Sequence, residues 1–120
     1  MNSFDGKDFI HVAKSLSKIN KESYIRSSAG RYYYSIFWIT RKYIESECGL
    51  YLNKNNIHSE IPKFFKDEFY KKNGIHRPLI RLRNLRNHAD YDSYSFDLNL
   101  IKSIDDDYNH ILNEIKKLVK

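Results

Sequence analysis

Apolar side chains recur every three or four positions along most of the chain, the spacing that lines them up on one face of a helix. Phe9, Val12, Ala13, Leu16 and Ile19 mark such a face and predict a first helix over residues 5–19, with Ser3 or Asp5 as its cap. A longer stripe follows within residues 22–47. It consists of Ile25, Ala29, Tyr32, Tyr33, Ile36, Phe37, Thr40, Tyr43 and Ile44, with Gly49 behind it as the stop. Gly30 inside this segment costs about 1 kcal/mol relative to Ala. Together with Ser27, Ser28 and Ala29 it makes a patch of small side chains that lets another helix approach closely and offsets that loss.

Residues 51–59 are polar and aperiodic, which predicts a loop. Pro62 then opens a short helix reaching Lys72, because proline suits a first helical turn. Asn73-Gly74 ends it, with Lys71 and Lys72 against the negative end of its dipole. A fourth helix starts near Pro78 and runs to Tyr91. Leu79, Leu82 and Leu85 or Arg86 form its apolar edge, and its other faces are basic. Residues 92–96 break the pattern. The last helix starts at about Asp97 and carries Leu100, Ile101, Ile104, Tyr108, Ile111, Leu112, Ile115, Leu118 and Val119. The expected class is all-α, an antiparallel bundle of four or five helices forming a single domain over residues 1–120.

Composition supports that class. Four glycines and two prolines cannot supply the turns that a sandwich or barrel needs about every 8–12 residues. A chain of 120 residues buries roughly two thirds of its unfolded surface, enough for its own core. Cys48 is the only cysteine, so an internal disulfide and an all-cysteine metal site are ruled out, and a small buried hydrophobe is expected there. No run of about 18 apolar residues is present to span a membrane, and the start lacks the long apolar stretch of a signal peptide. A cytoplasmic protein is the expectation. The net charge of +6, from 21 Lys and Arg against 15 Asp and Glu, permits a nucleic-acid partner. Much of the excess is Lys in a chain also rich in Asn and Ile, a bias that genome composition alone produces. Asp105, Asp106 and Asp107 are expected on a solvated early turn of the last helix.

Chemistry concentrates in Arg81-Leu82-Arg83-Asn84-Leu85-Arg86-Asn87-His88-Ala89-Asp90-Tyr91-Asp92. A guanidinium grips phosphate through a planar fork of donors, and an imidazole exchanges protons near neutrality. A phosphate clamp beside a proton shuttle is what RNA cleavage through the 2′-hydroxyl requires. His88 would handle the proton and Arg83 would stabilise the charge building on phosphorus. Asn84 either orients this site or solvates the helix. Arg77, Arg81 and Arg86 form a basic face able to contact RNA backbone. No cofactor is called for. His11, His58, His76 and His110 lack metal-ligand spacing, and His88-x-Asp90-x-Asp92 splays its groups apart on a helix. Positions 83 and 88 lie about 140° apart on an ideal helix. Arg83 must reach around, the helix must loosen near His88, or two copies must meet around one phosphate.

The segment Arg26-Ser27-Ser28-Ala29-Gly30-Arg31-Tyr32-Tyr33-Tyr34-Ser35-Ile36-Phe37, followed by Arg83-Asn84-Leu85-Arg86-Asn87-His88, resembles the HEPN superfamily. The first part is similar to that family's tyrosine-rich second helix and the second to its R-x4-6-H motif, with a polar residue after the arginine. The resemblance implies a helical bundle, usually a homodimer with two motifs facing across a cleft. It also implies metal-independent endoribonuclease activity in toxin–antitoxin, defence or RNA-processing systems, with RNA and an antitoxin or defence-complex protein as partners. A non-catalytic module that binds RNA or a nucleotide, or mediates assembly, is the alternative. Toxins paired with a minimal nucleotidyltransferase antitoxin carry R-x4-H-x-Y. Here Asp90 occupies the tyrosine position and Tyr91 comes one residue later.

Overall fold

The computed structural model describes residues 6–69, 74–92 and 95–119. Among them are five α-helices and no strand: α1 (Phe9–Ser17), α2 (Glu22–Lys42), α3 (Ile57–Phe69), α4 (His76–Tyr91) and α5 (Leu98–Leu118). No described helix is long and apolar enough to cross a membrane. The all-α bundle expected from the periodicity is what the chain forms.

The arrangement follows from α2, which touches each of the other four helices. Every residue of its expected stripe is buried, from Ile25 through Tyr32, Ile36 and Phe37 to Ile44. Two serines are buried with it and are satisfied. Ser28 Oγ donates to the Ala13 carbonyl at 2.7 Å, and Ser35 Oγ meets the Tyr108 hydroxyl at 2.9 Å. The small-residue patch therefore receives α1 at Ser28. A Cβ on Gly30 would meet open space. The glycine that packing does require is Gly6, where an added Cβ would collide with the Trp38 ring. Beyond Lys42 the helix widens into a π turn over Tyr43–Glu47, and Gly49 stops it in the left-handed region at φ 68°. Cys48 beside it is only half-buried.

Two of the expected boundaries move clearly. The first helix ends at Ser17, where the Lys18 and Ile19 amides turn back to Ser15 and Leu16. Ile19 thereby leaves the helical period, and both it and Val12 are exposed. The cap residues Ser3 and Asp5 lie outside the described residues. The third helix begins at Ile57, five residues before Pro62, so the expected loop is shorter. Ile57, Ile61 and Phe65 recur every four positions and are all buried, and that burial outweighs the His58 carbonyl losing the amide that proline lacks. Its expected end at Asn73, with Lys71 and Lys72, lies outside the described residues. Gly74 follows with φ 61°.

The last helix starts as expected, with the Asp97 carboxylate accepting from the Asn99 and Leu100 amides at 3.0 and 3.3 Å. The acidic triplet within it differs from expectation. Asp105 accepts from the Tyr32 hydroxyl at 2.8 Å and Asp107 pairs with Arg81, so only Asp106 is fully exposed. Burial, followed by the Asp105 carboxylate, pushes the Tyr32 phenol above its ordinary range. Phe96, in the stretch expected to break the pattern, also joins the core and is only 1% exposed.

Candidate functional site

The basic helix α4 is anchored through Pro78, Leu79, Leu82 and Ala89, which are buried against the bundle. The arginines and His88 project around that seam onto different surroundings.

His88 lies in the last turn of α4. Its Nδ1 is 3.2 Å from Asp92 Oδ2, one helical turn ahead, and its ring packs on Phe96 at 5.4 Å between centroids. A carboxylate only accepts, so Nδ1–H is the donor in that contact. Nε2 stands 3.5 Å from the Ser95 carbonyl, which also only accepts, so this long contact is a hydrogen bond only when Nε2 carries a proton. The ring is about a quarter exposed, at 24%. The arrangement is a partly exposed histidine oriented through Nδ1 by a carboxylate. It can accept or deliver a proton.

The turn that holds His88 is tied down by a residue more than sixty positions away. Arg26 Nη1 donates to the carbonyls of His88, Ala89 and Asp92 at 3.2, 3.0 and 2.7 Å. The other edge of the guanidinium meets Glu22 at 3.0 Å, and its face lies 5.8 Å from the Phe96 centroid. The last carbonyls of a helix have no amide within it, and a cation there also meets the negative end of the dipole. Arg26 thus caps α4 at the turn that carries His88. Sequence spacing gives no sign of this role.

The arginines do not form one solvated face. Arg77 is exposed. Arg81 grips Asp107 through two hydrogen bonds of 2.9 and 2.8 Å, which hold its guanidinium firmly charged. Arg86 turns inward. It donates to the Tyr34 hydroxyl at 2.8 Å, approaches Asp90 Oδ2 at 3.1 Å without hydrogen-bond alignment, and stacks over Tyr33 and Tyr34. Asp90 and Asp92 therefore serve different partners, as their two-residue spacing requires. Asn84 is exposed. Among those residues no group of three His, Cys, Asp or Glu side chains could hold a metal ion.

Arg83 is half-buried. Its charge, with that of Arg86, acts on Tyr33 and His58. His88 is directed toward Asp92, Ser95 and Phe96, whereas the charge of Arg83 is felt at Tyr33 and His58, in keeping with their separation around the helix. Tyr33 and His58 form an interior pair that sequence reading missed. The Tyr33 hydroxyl and His58 Nδ1 are 2.6 Å apart, and burial pushes the phenol up to about 12. Burial also holds the imidazole below its ordinary range, helped by Arg86 and Arg83. The unfolded chain therefore binds a proton at His58 before the folded chain does. Folding stability should be full above about pH 6.5 and decline as pH drops through and below it. A His58→Gln chain should lose that part of the acid sensitivity in urea titrations run at several pH values.

Comparison with known proteins finds no matching family model, no matching curated protein and no matching solved structure.

Proposed function

We propose that the chain is a metal-independent endoribonuclease of HEPN type that cleaves RNA through attack by its own 2′-hydroxyl. The observation that carries this reading is His88 itself, oriented through Nδ1 by Asp92 and left partly exposed on the same basic helix as Arg83. His88 takes the 2′-hydroxyl proton or returns one to the leaving 5′-oxygen, and Arg83 stabilises the charged phosphorane. Arg77 and, through their field, Arg81 and Arg86 attract the backbone, while Asn84 stands one turn before His88 on the same face.

Arg83 and His88 face different sides of α4, so the reading includes a homodimer in which the helices of two chains surround one scissile phosphate. A two-fold axis would place two arginine–histidine sets in one positive cleft. The cellular setting consistent with this chemistry is a toxin or defence system, with an antitoxin or complex partner restraining the activity.

The test is incubation of the purified chain with RNA in excess EDTA, followed by analysis of the product ends. Products should carry 2′,3′-cyclic phosphate and 5′-hydroxyl termini, and a deoxynucleotide at the cleaved position should block reaction. A requirement for Mg²⁺, or products with 5′-phosphates, would overturn the mechanism.

A further inference from the structure

Arg77, Arg81, Asn84, His88 and Tyr91 follow one another along α4 at helical spacing. At 3.6 residues per turn they fall within about 80° of arc and run about 21 Å along the helix. Four of them are exposed and His88 is partly so. The stripe begins with two cations, continues through an amide and the imidazole, and ends on a phenol ring. That ring is 76% exposed, so it adds little to the core. The backbone around it is nevertheless held. Arg26 takes the Ala89 and Asp92 carbonyls at 3.0 and 2.7 Å, and the Asp92 amide returns to the His88 carbonyl at 3.1 Å. A large flat ring is thus presented to solvent from a fixed turn, one helical turn beyond the imidazole. Asp90 and Asp92 flank it in the chain, engaged by Arg86 and His88. Their charge disfavours a phosphate at the ring itself, and the group that suits it is an uncharged π face.

We infer that Tyr91 is a base-stacking residue, which holds an unpaired nucleobase beside the phosphate on which His88 acts. The strand then runs back along the exposed stripe toward Arg77. This rests on the ribonuclease reading of His88 and adds the part of the substrate that basic side chains cannot grip. A base offers its face to an aromatic ring only after it has left its own helix, so the residue selects unpaired RNA over a duplex. Phosphates farther along the strand meet Arg77 and Arg81, and Arg81 keeps 55% of its side chain exposed while Asp107 holds it.

The test measures binding, with cleavage scored separately. The probe is a short 2′-O-methyl oligoribonucleotide, which cannot be cut through its 2′-oxygen, carrying 2-aminopurine, a base whose fluorescence is quenched by stacking. The wild-type chain should quench it. Tyr91→Phe keeps the ring and should bind within about twofold of wild type, whereas Tyr91→Leu should bind about tenfold more weakly and lose the quenching. Annealing the probe to its complement should weaken binding to the wild-type chain. The ring stands largely in water, so both variants should melt with the wild type. Equal binding and quenching by wild type and Tyr91→Leu overturns the stacking role. So does a Tyr91→Leu chain that sediments at half the wild-type mass, since the ring then serves contact between subunits. RNA cleaved in EDTA, with quenching that ignores the ring, removes the stacking and leaves the ribonuclease reading. Ring-dependent quenching without cleavage upholds the stacking and removes the ribonuclease reading.

Discussion

A His88→Ala chain should cleave RNA about 10²–10⁴-fold more slowly than wild type, the usual contribution of a positioned acid–base group. The loss should appear in the chemical step and leave RNA affinity nearly unchanged, since the basic side chains remain. Asp92→Asn should give a smaller loss, because it weakens the hold on Nδ1 and leaves the imidazole present. The ring also packs on Phe96, so a thermal melt of each variant must accompany the assay. A mixture of Arg83→Ala and His88→Ala chains tests the shared site. If each site draws on both subunits, mixing should restore part of the activity that neither variant has alone. Full cleavage by His88→Ala would remove this residue from the mechanism. A strictly monomeric active chain would remove the shared site and leave the roles of the two residues standing.

Arg26→Ala should be among the most destabilising single changes outside the apolar core. The side chain is 18% exposed and serves three carbonyls of one helix end. A hydrogen bond from a charged donor contributes about 1.5–3 kcal/mol. One nitrogen shared among three acceptors yields less than their sum, and about 2–4 kcal/mol is expected. In a bundle of this size that lowers the melting temperature by roughly 10–20 °C. Arg26→Lys should recover only part of the loss, because a point charge cannot span the carbonyls and keep Glu22 and the Phe96 face as well. Loss of the cap should also loosen the His88–Asp92 turn, so at temperatures where Arg26→Ala remains folded its cleavage rate should fall too. A melting temperature within about 3 °C of wild type would contradict the capping role.

The long apolar stripe from Ile25 to Ile44, the leucine edge of α4 and the alternation of α5 were legible because each is a local repeat at helical spacing. Periodicity reports which face of a helix is buried, and burial of that face is the main force assembling the bundle. Arg83, Asn84 and His88 were legible as candidates because residue type and spacing are local too. The 140° between the arginine and the histidine also follows from helix geometry alone. The boundary at Ile57 was misread because a proline suited to a first turn was weighed above three buried side chains one turn apart.

What the chain could determine by itself was therefore its helices, their apolar faces and the identity of one basic helix. Tertiary structure decided the partners. Only folding brings Arg26 to the end of α4, lays Asp107 against Arg81, turns Arg86 inward onto Tyr33 and Tyr34, and sets His58 against Tyr33. Each of these contacts joins residues far apart in sequence. A polar side chain finds such a partner only after packing of the apolar faces has excluded water and fixed which helices are neighbours. Local patterning determines the faces, and the charges then take whatever acceptors that packing leaves within reach.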